Sequence, residues 1–95
     1  MDEKEILRVI NSGDIDASDL LKEAMPKATR RFYRLTNSMN KLLQEVREHF
    51  PDAQYYSASG TVSLLLGSSH DKNDHPVREM VAVTSPDLNI EGGDW

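Results

Sequence analysis

The spacing of apolar residues changes character along the chain, and each change marks an element. From about Glu3 to Asn11, Ile6, Leu7, Val9 and Ile10 fall at helical spacing. Ser12-Gly13 follows, and glycine just past a periodic run is a helix stop. A second short helix restarts near Ile15-Asp16-Ala17-Ser18. Either Asp16 or Ser18 can cap it, and Leu20, Leu21, Ala24 and Met25 form its apolar face. Pro26 disfavours helical geometry at Met25 and suits the first turn of a new helix. In that third helix Ala28, Phe32, Leu35, Met39, Leu42, Val46 and Phe50 recur at spacings of four and three, with Leu43 widening the stripe. On a helical wheel these positions span an arc of roughly 100°. Pro51-Asp52 ends the helix.

The period then shortens to two. Ala53 to Ala58 and Thr61 to Leu66 read as the arms of a hairpin joined by Ser59-Gly60. With that turn Ala58 faces Thr61. One face then holds Ala53, Tyr55, Ser57, Val62, Leu64 and Leu66, and the other Gln54, Tyr56, Ala58, Thr61, Ser63 and Leu65. The first is more apolar and is expected to be the core face. Gly67 to Pro76 is a polar loop. Val77 to Thr84 predicts a third strand, with Val77, Val81 and Val83 on one side together with Glu79, and Met80 and Ala82 on the other. Ser85-Pro86 breaks it. The expected fold is α+β: two short N-terminal helices and one long helix packed on a small antiparallel sheet of about three strands. Residues 1–86 form a single domain in this reading, and residues 87–95 an acidic C-terminal tail.

Composition bounds the function. With 95 residues the chain has room for one small core. It has no cysteine, which favours a reducing, cytoplasmic setting over secretion. The charged N-terminus lacks the apolar region of a signal peptide, and apolar runs such as Leu64 to Leu66 are far too short to span a membrane.

Charge adds the most informative pattern. The net charge is −5, yet residues 26–44 carry five bases and no acid, between two acidic blocks. Lys27, Arg30, Arg31, Arg34 and Lys41 fall within a second arc of roughly 100°, beside the apolar stripe. Lys27/Arg31 and Arg30/Arg34 are like-charge pairs four residues apart, and bases in a first turn oppose the helix dipole. An anionic partner would compensate. Three candidates are open: the chain's own Glu3, Glu5, Asp14, Asp16, Asp19 and Glu23; a nucleic-acid backbone; or an acidic patch on another protein.

Three helices followed by a hairpin is the element order of a winged-helix domain. The stretch Ala17-Ser18-Asp19-Leu20-Leu21-Lys22-Glu23-Ala24 with Lys27-Ala28-Thr29 resembles helix-turn-helix sequences of bacterial regulators. That resemblance implies base contacts from Thr29, Arg30, Arg31 and Tyr33. The turn here lacks glycine and is short, and the third helix is long for a recognition helix.

The apolar stripe has two readings: it packs on the sheet and the short helices, or it forms a coiled-coil seam of about three heptads that makes a homodimer through the long helix. The tail, Asp87 to Trp95, ends in Asp94-Trp95. Its indole and terminal carboxylate suit a pocket with a basic rim. In composition it is similar to the acidic, aromatic-ended tails of single-stranded-DNA-binding proteins.

His70, Asp71, Asp74 and His75 are metal-type ligands without a known ligand spacing, so neither a metal nor another cofactor is expected. Ser68 or Ser69 beside a His–Asp pair holds the groups of a nucleophile and base, but a polar loop does not fix them or exclude water. No catalytic residue is assigned. The expectation is a non-enzymatic binding protein, a regulator or inhibitor acting by protein–protein contact, with nucleic-acid binding through the basic face as the alternative.

Overall fold

The computed structural model describes residues 1–92, so Asp94 and Trp95, the expected tail-recognition residues, lie outside the described part. The architecture is α+β: helices α1 (Glu3–Ser12), α2 (Ala17–Ala24) and α3 (Ala28–Arg47) precede an antiparallel sheet of β1 (Gln54–Ala58), β2 (Thr61–Leu65) and β3 (Val81–Thr84) in the order β1-β2-β3. No described helix is long and apolar enough to cross a membrane. The chain divides into two compact units, Met1–Ser38 and Met39–Trp95, with the boundary inside the continuous α3.

Local physics sets the helix ends in the first unit. Asp2 caps α1 by accepting from the Glu5 amide at 2.9 Å. The α2 cap is Asp16, not Ser18. Asp16 accepts from the Asp19 amide at 2.9 Å while the Asp19 carboxylate accepts from the Asp16 amide at 3.1 Å, a reciprocal capping box. The Asp19 amide first, and then the Asp19 side chain, lower the Asp16 pKa below its ordinary 3.8, and Lys22 adds to the effect. Gly13 ends α1 in an extended conformation, so it needs none of glycine's left-handed freedom. Ile6, Val9, Ile10, Ile15, Leu20 and Ala28 are half-buried, and none of the three helices buries a residue fully.

In the second unit the hairpin has the register its pattern predicts, Ala58 opposite Thr61 and Tyr55 opposite Leu64. Ser59 (φ 53°) and Gly60 (φ 81°) both take positive φ, as a type I′ connection requires. The third strand starts later than its pattern suggests. Arg78–Met80 is a turn of 3₁₀ helix, and only Val81–Thr84 pairs with β2. Thr84 opposes Ser63, Val83 opposes Leu64 and Val81 opposes Leu65, which leaves Ala82 as an extra residue in a bulge. Val81 and Val83 therefore occupy opposite faces of the sheet, correcting the simple alternation that put them together.

Both sheet faces are partly covered. On the face of Tyr55, Val62 and Leu64 the cover includes the C-terminal half of α3, where the Tyr55 hydroxyl donates to the Met39 carbonyl at 2.8 Å. On the other face the segment after β2 folds back: the Leu66 amide donates to the Met80 carbonyl at 2.9 Å and the Val77 amide to the Ser69 carbonyl at 2.8 Å. Leu65 is thereby the most buried residue of the sheet at 2 % exposure, on the face the pattern ranks as the less apolar. Ala53 and Leu65 are the fully buried apolar residues among those described.

Candidate functional site on helix α3

A three-residue joint sets the start of α3. Met25 closes α2 through its amide to the Leu21 carbonyl at 2.7 Å, and its own carbonyl receives the Ala28 amide at 3.1 Å. Pro26 sits between them, outside the hydrogen-bond ladder. From Ala28 the helix runs 20 residues without a proline or glycine. Its small polar residues bond back to the helix itself: the Thr36 hydroxyl donates to the Phe32 carbonyl at 3.0 Å and the Ser38 hydroxyl to the Arg34 carbonyl at 3.0 Å. They offer no competition to the two stripes beside them.

The basic stripe is exposed over its whole length, at Lys27, Arg30, Arg31, Arg34 and Lys41. Among the described residues the one approach within 4 Å of a basic side chain to an acid is His75 Nδ1 to Asp71 Oδ2, at 3.6 Å. The acids of α1 and α2 do not reach the stripe. Asp2, Asp16 and Asp19 are occupied as helix caps instead. Arg47 differs from the stripe: its Nε donates to the Ala53 carbonyl at 2.7 Å, closing the turn between α3 and β1.

The apolar stripe is also uncovered for much of its length. Phe32 and Leu35 are each 66 % exposed, and Met39 and Leu42 are exposed as well, whereas Leu43 and Val46 are half-buried in the second unit. Within the second unit the stripe is thus covered at Leu43 and Val46 and exposed at Leu42 and Phe50. On the wheel Glu45 and Glu48 fall in the same sector as the basic stripe. That sector is positive over its first half and negative at its C-terminal end, a polarity that the residue types of 45–48 already carried.

The other candidate residues are placed as follows. Asp71 organises its own turn, accepting from the amides of Asn73 at 2.9 Å and His75 at 3.0 Å. Ser69 Oγ lies 3.0 Å from His70 Nδ1, but the Asp71 carboxylate engages His75 rather than His70. Among the described residues no third group of a nucleophile–base–acid relay is hydrogen-bonded to that imidazole. Among the described residues no three His, Asp or Glu side chains converge as metal ligands do.

Two features escape sequence reasoning. An open cleft of about 480 Å³ lies on the second sheet face, with Tyr56, Leu65, His70 and Arg78 in its wall and the Tyr56 ring edge-on to His70 at 5.9 Å. It exists because residues 67–80 fold back over β2, which no local pattern announces. The start of the tail is held at the hairpin tip: the Leu88 amide donates to the Gly60 carbonyl at 2.8 Å, and Asp87 packs so closely on Gly60 that a Cβ there would meet its Oδ1 at 2.5 Å.

No family model, curated protein or solved structure matches this chain.

Proposed function

We propose that the protein is a non-enzymatic binding protein, a regulator or inhibitor that acts by contacting an acidic protein through α3. One observation carries this reading: on a single helix an exposed apolar stripe runs beside an exposed basic stripe that meets no acid within 4 Å among the described residues. Large apolar side chains left in water are unfavourable, and aromatic, methionine and arginine side chains are the types that anchor protein interfaces. Phe32, Leu35, Met39 and Leu42 make α3 a contact surface, and Lys27, Arg30, Arg31, Arg34 and Lys41 supply the charge that selects an acidic partner. The use of Asp71 in its own turn rather than behind His70 supports a non-catalytic role for that loop. The lack of cysteine supports a cytoplasmic setting.

A photo-crosslinking residue in place of Tyr33, exposed beside the basic stripe, tests the reading. Inside cells it is expected to give an adduct with an acidic protein that disappears when Arg30, Arg31 and Arg34 are changed to Glu. Adducts that survive the reversal would remove the basic stripe from the function.

The second reading, a nucleic-acid-binding regulator, is favoured by the same five cations, four of them within residues 27–34. Its signature is anisotropy of labelled duplex and single-stranded DNA that collapses as salt rises, because affinity rests on counterion release. No binding at low salt removes it.

A further inference from the structure

We infer that the apolar stripe of α3 is the seam of an antiparallel homodimer, in which Arg31 of each copy pairs with Glu45 of the other. The inference rests on the reading of α3 as the contact surface and names the occupant of its apolar half.

Spacing comes first. Ala28, Phe32, Leu35, Met39, Leu42 and Val46 alternate by four and three residues along one continuous helix, the repeat that lets two helices interlock. The four central members are the exposed ones. A seam needs side chains accessible along its middle, and that is where the cover is missing.

Charge decides direction. The sector flanking the seam is positive from Lys27 to Lys41 and negative at Glu45 and Glu48. A parallel pair would lay the arginine-rich halves beside each other, with nothing between them to offset the repulsion. An antiparallel pair lays the positive half of each copy on the negative end of the other. Matching the stripe to itself head to tail sets Ala28 against Val46, Phe32 against Leu42 and Leu35 against Met39 of the second copy, centred on Asn37. In this register the residues flanking the seam on the charged side are Arg31, Ser38 and Glu45. Arg31 then meets Glu45 of the second copy, twice by symmetry, and Ser38 meets Ser38.

The outcome fits the rest of the surface. Lys27, Arg30, Arg34 and Lys41 point away from the seam in this register, so the dimer leaves most of the basic stripe open for an acidic partner. The occupant is self-complementary, as a two-fold interface must be.

Sedimentation velocity of the full chain over a concentration series provides the test, with Leu35→Asp, Arg31→Glu, Glu45→Arg and the Arg31→Glu/Glu45→Arg double variant alongside. Circular dichroism confirms that each variant keeps its helix content. The inference expects a reversible monomer–dimer equilibrium that Leu35→Asp abolishes. Each single charge variant should weaken it roughly tenfold, as two surface pairs turn from attraction to repulsion, and the double variant should restore it. A chain that stays monomeric to several hundred micromolar overturns the inference. If that monomer still gives the Arg-dependent crosslink from position 33, the function reading stands without the dimer. A dimer that the double variant fails to restore overturns the antiparallel pairing.

Discussion

Gly60 is where a single residue answers to two demands. Its φ of 81° belongs to the left-handed region, and the Asp87 side chain occupies the space a Cβ would need. Gly60→Ala is therefore expected to cost about 1–3 kcal/mol, read as a lower midpoint in denaturant unfolding. It should also loosen the segment around Leu88, seen as faster exchange of that amide. The turn itself was legible, since Ser59-Gly60 between two alternating runs allows few connections. The approach of Asp87 was not, because the chain must first pass through 26 intervening residues to bring them together.

Asp16 gives a second residue-scale prediction. Its folded-state pKa is depressed, so its capping contribution is complete above about 3.8, the ordinary value, and is lost as pH falls through the lower folded value. The first turn of α2 is expected to fray in acid below pH 3.8, whereas a pH rise from 5 to 8 leaves this cap unchanged. An NMR titration of the Asp16 carboxyl carbon reads this directly; a midpoint at or above 3.8 would contradict the capping account.

At the scale of elements, periodicity located all three helices and the hairpin, and it failed where tertiary hydrogen bonds override it. The stretch Val77 to Thr84 looks like one strand because its valines alternate. The Leu66 amide, however, takes the Met80 carbonyl, and the chain before Val81 winds into a 3₁₀ turn to allow it. The extra residue, Ala82, then reverses the facing, which no count of apolar residues foretells. The same lesson applies to Leu65. Alternation assigned it to the weaker face, and the returning loop buries it there, although Tyr56 and Ala58 on that face stay exposed while Ala53, Tyr55, Val62, Leu64 and Leu66 on the other are buried or half-buried.

Within the second unit the join between α3 and the sheet is polar as well as apolar. The Tyr55 hydroxyl to Met39 carbonyl bond predicts that Tyr55→Phe lowers unfolding stability by about 0.5–1.5 kcal/mol. Thermal denaturation of the variant checks it. Helix α3 itself is expected to tolerate the Arg30/Arg31/Arg34→Glu reversal. That change turns the Lys27/Arg31 pair into an attraction, leaves 30/34 a like-charge pair of the opposite sign, and puts acids near the helix N-terminus, where the dipole favours them, so the helix content by circular dichroism should match that of the parent.

Over the whole molecule, the distribution of burial carries the functional argument. Two apolar side chains are fully buried among the described residues, while Phe32, Leu35, Met39 and Leu42 face solvent along one helix. A domain of this size has little apolar surface to spare, and the proposed partner would cover a stripe left exposed beside bases that meet no acid among the described residues. The sequence carried the two stripes and their adjacency in its spacing. Whether they were covered was beyond it, because internal pairing with the acids of residues 1–25 satisfied the same pattern. The capping roles of Asp2, Asp16 and Asp19 now give part of that acidity a local use.

The central claim is that α3 is a recognition helix for an acidic protein. Photo-crosslinking in cells from position 33, compared between the parent and the Arg30/Arg31/Arg34→Glu reversal, tests it most directly. The account predicts an adduct with an acidic protein in the parent and its loss in the reversal, with the fold of both intact. The same adducts in both proteins, or none in either, would contradict it.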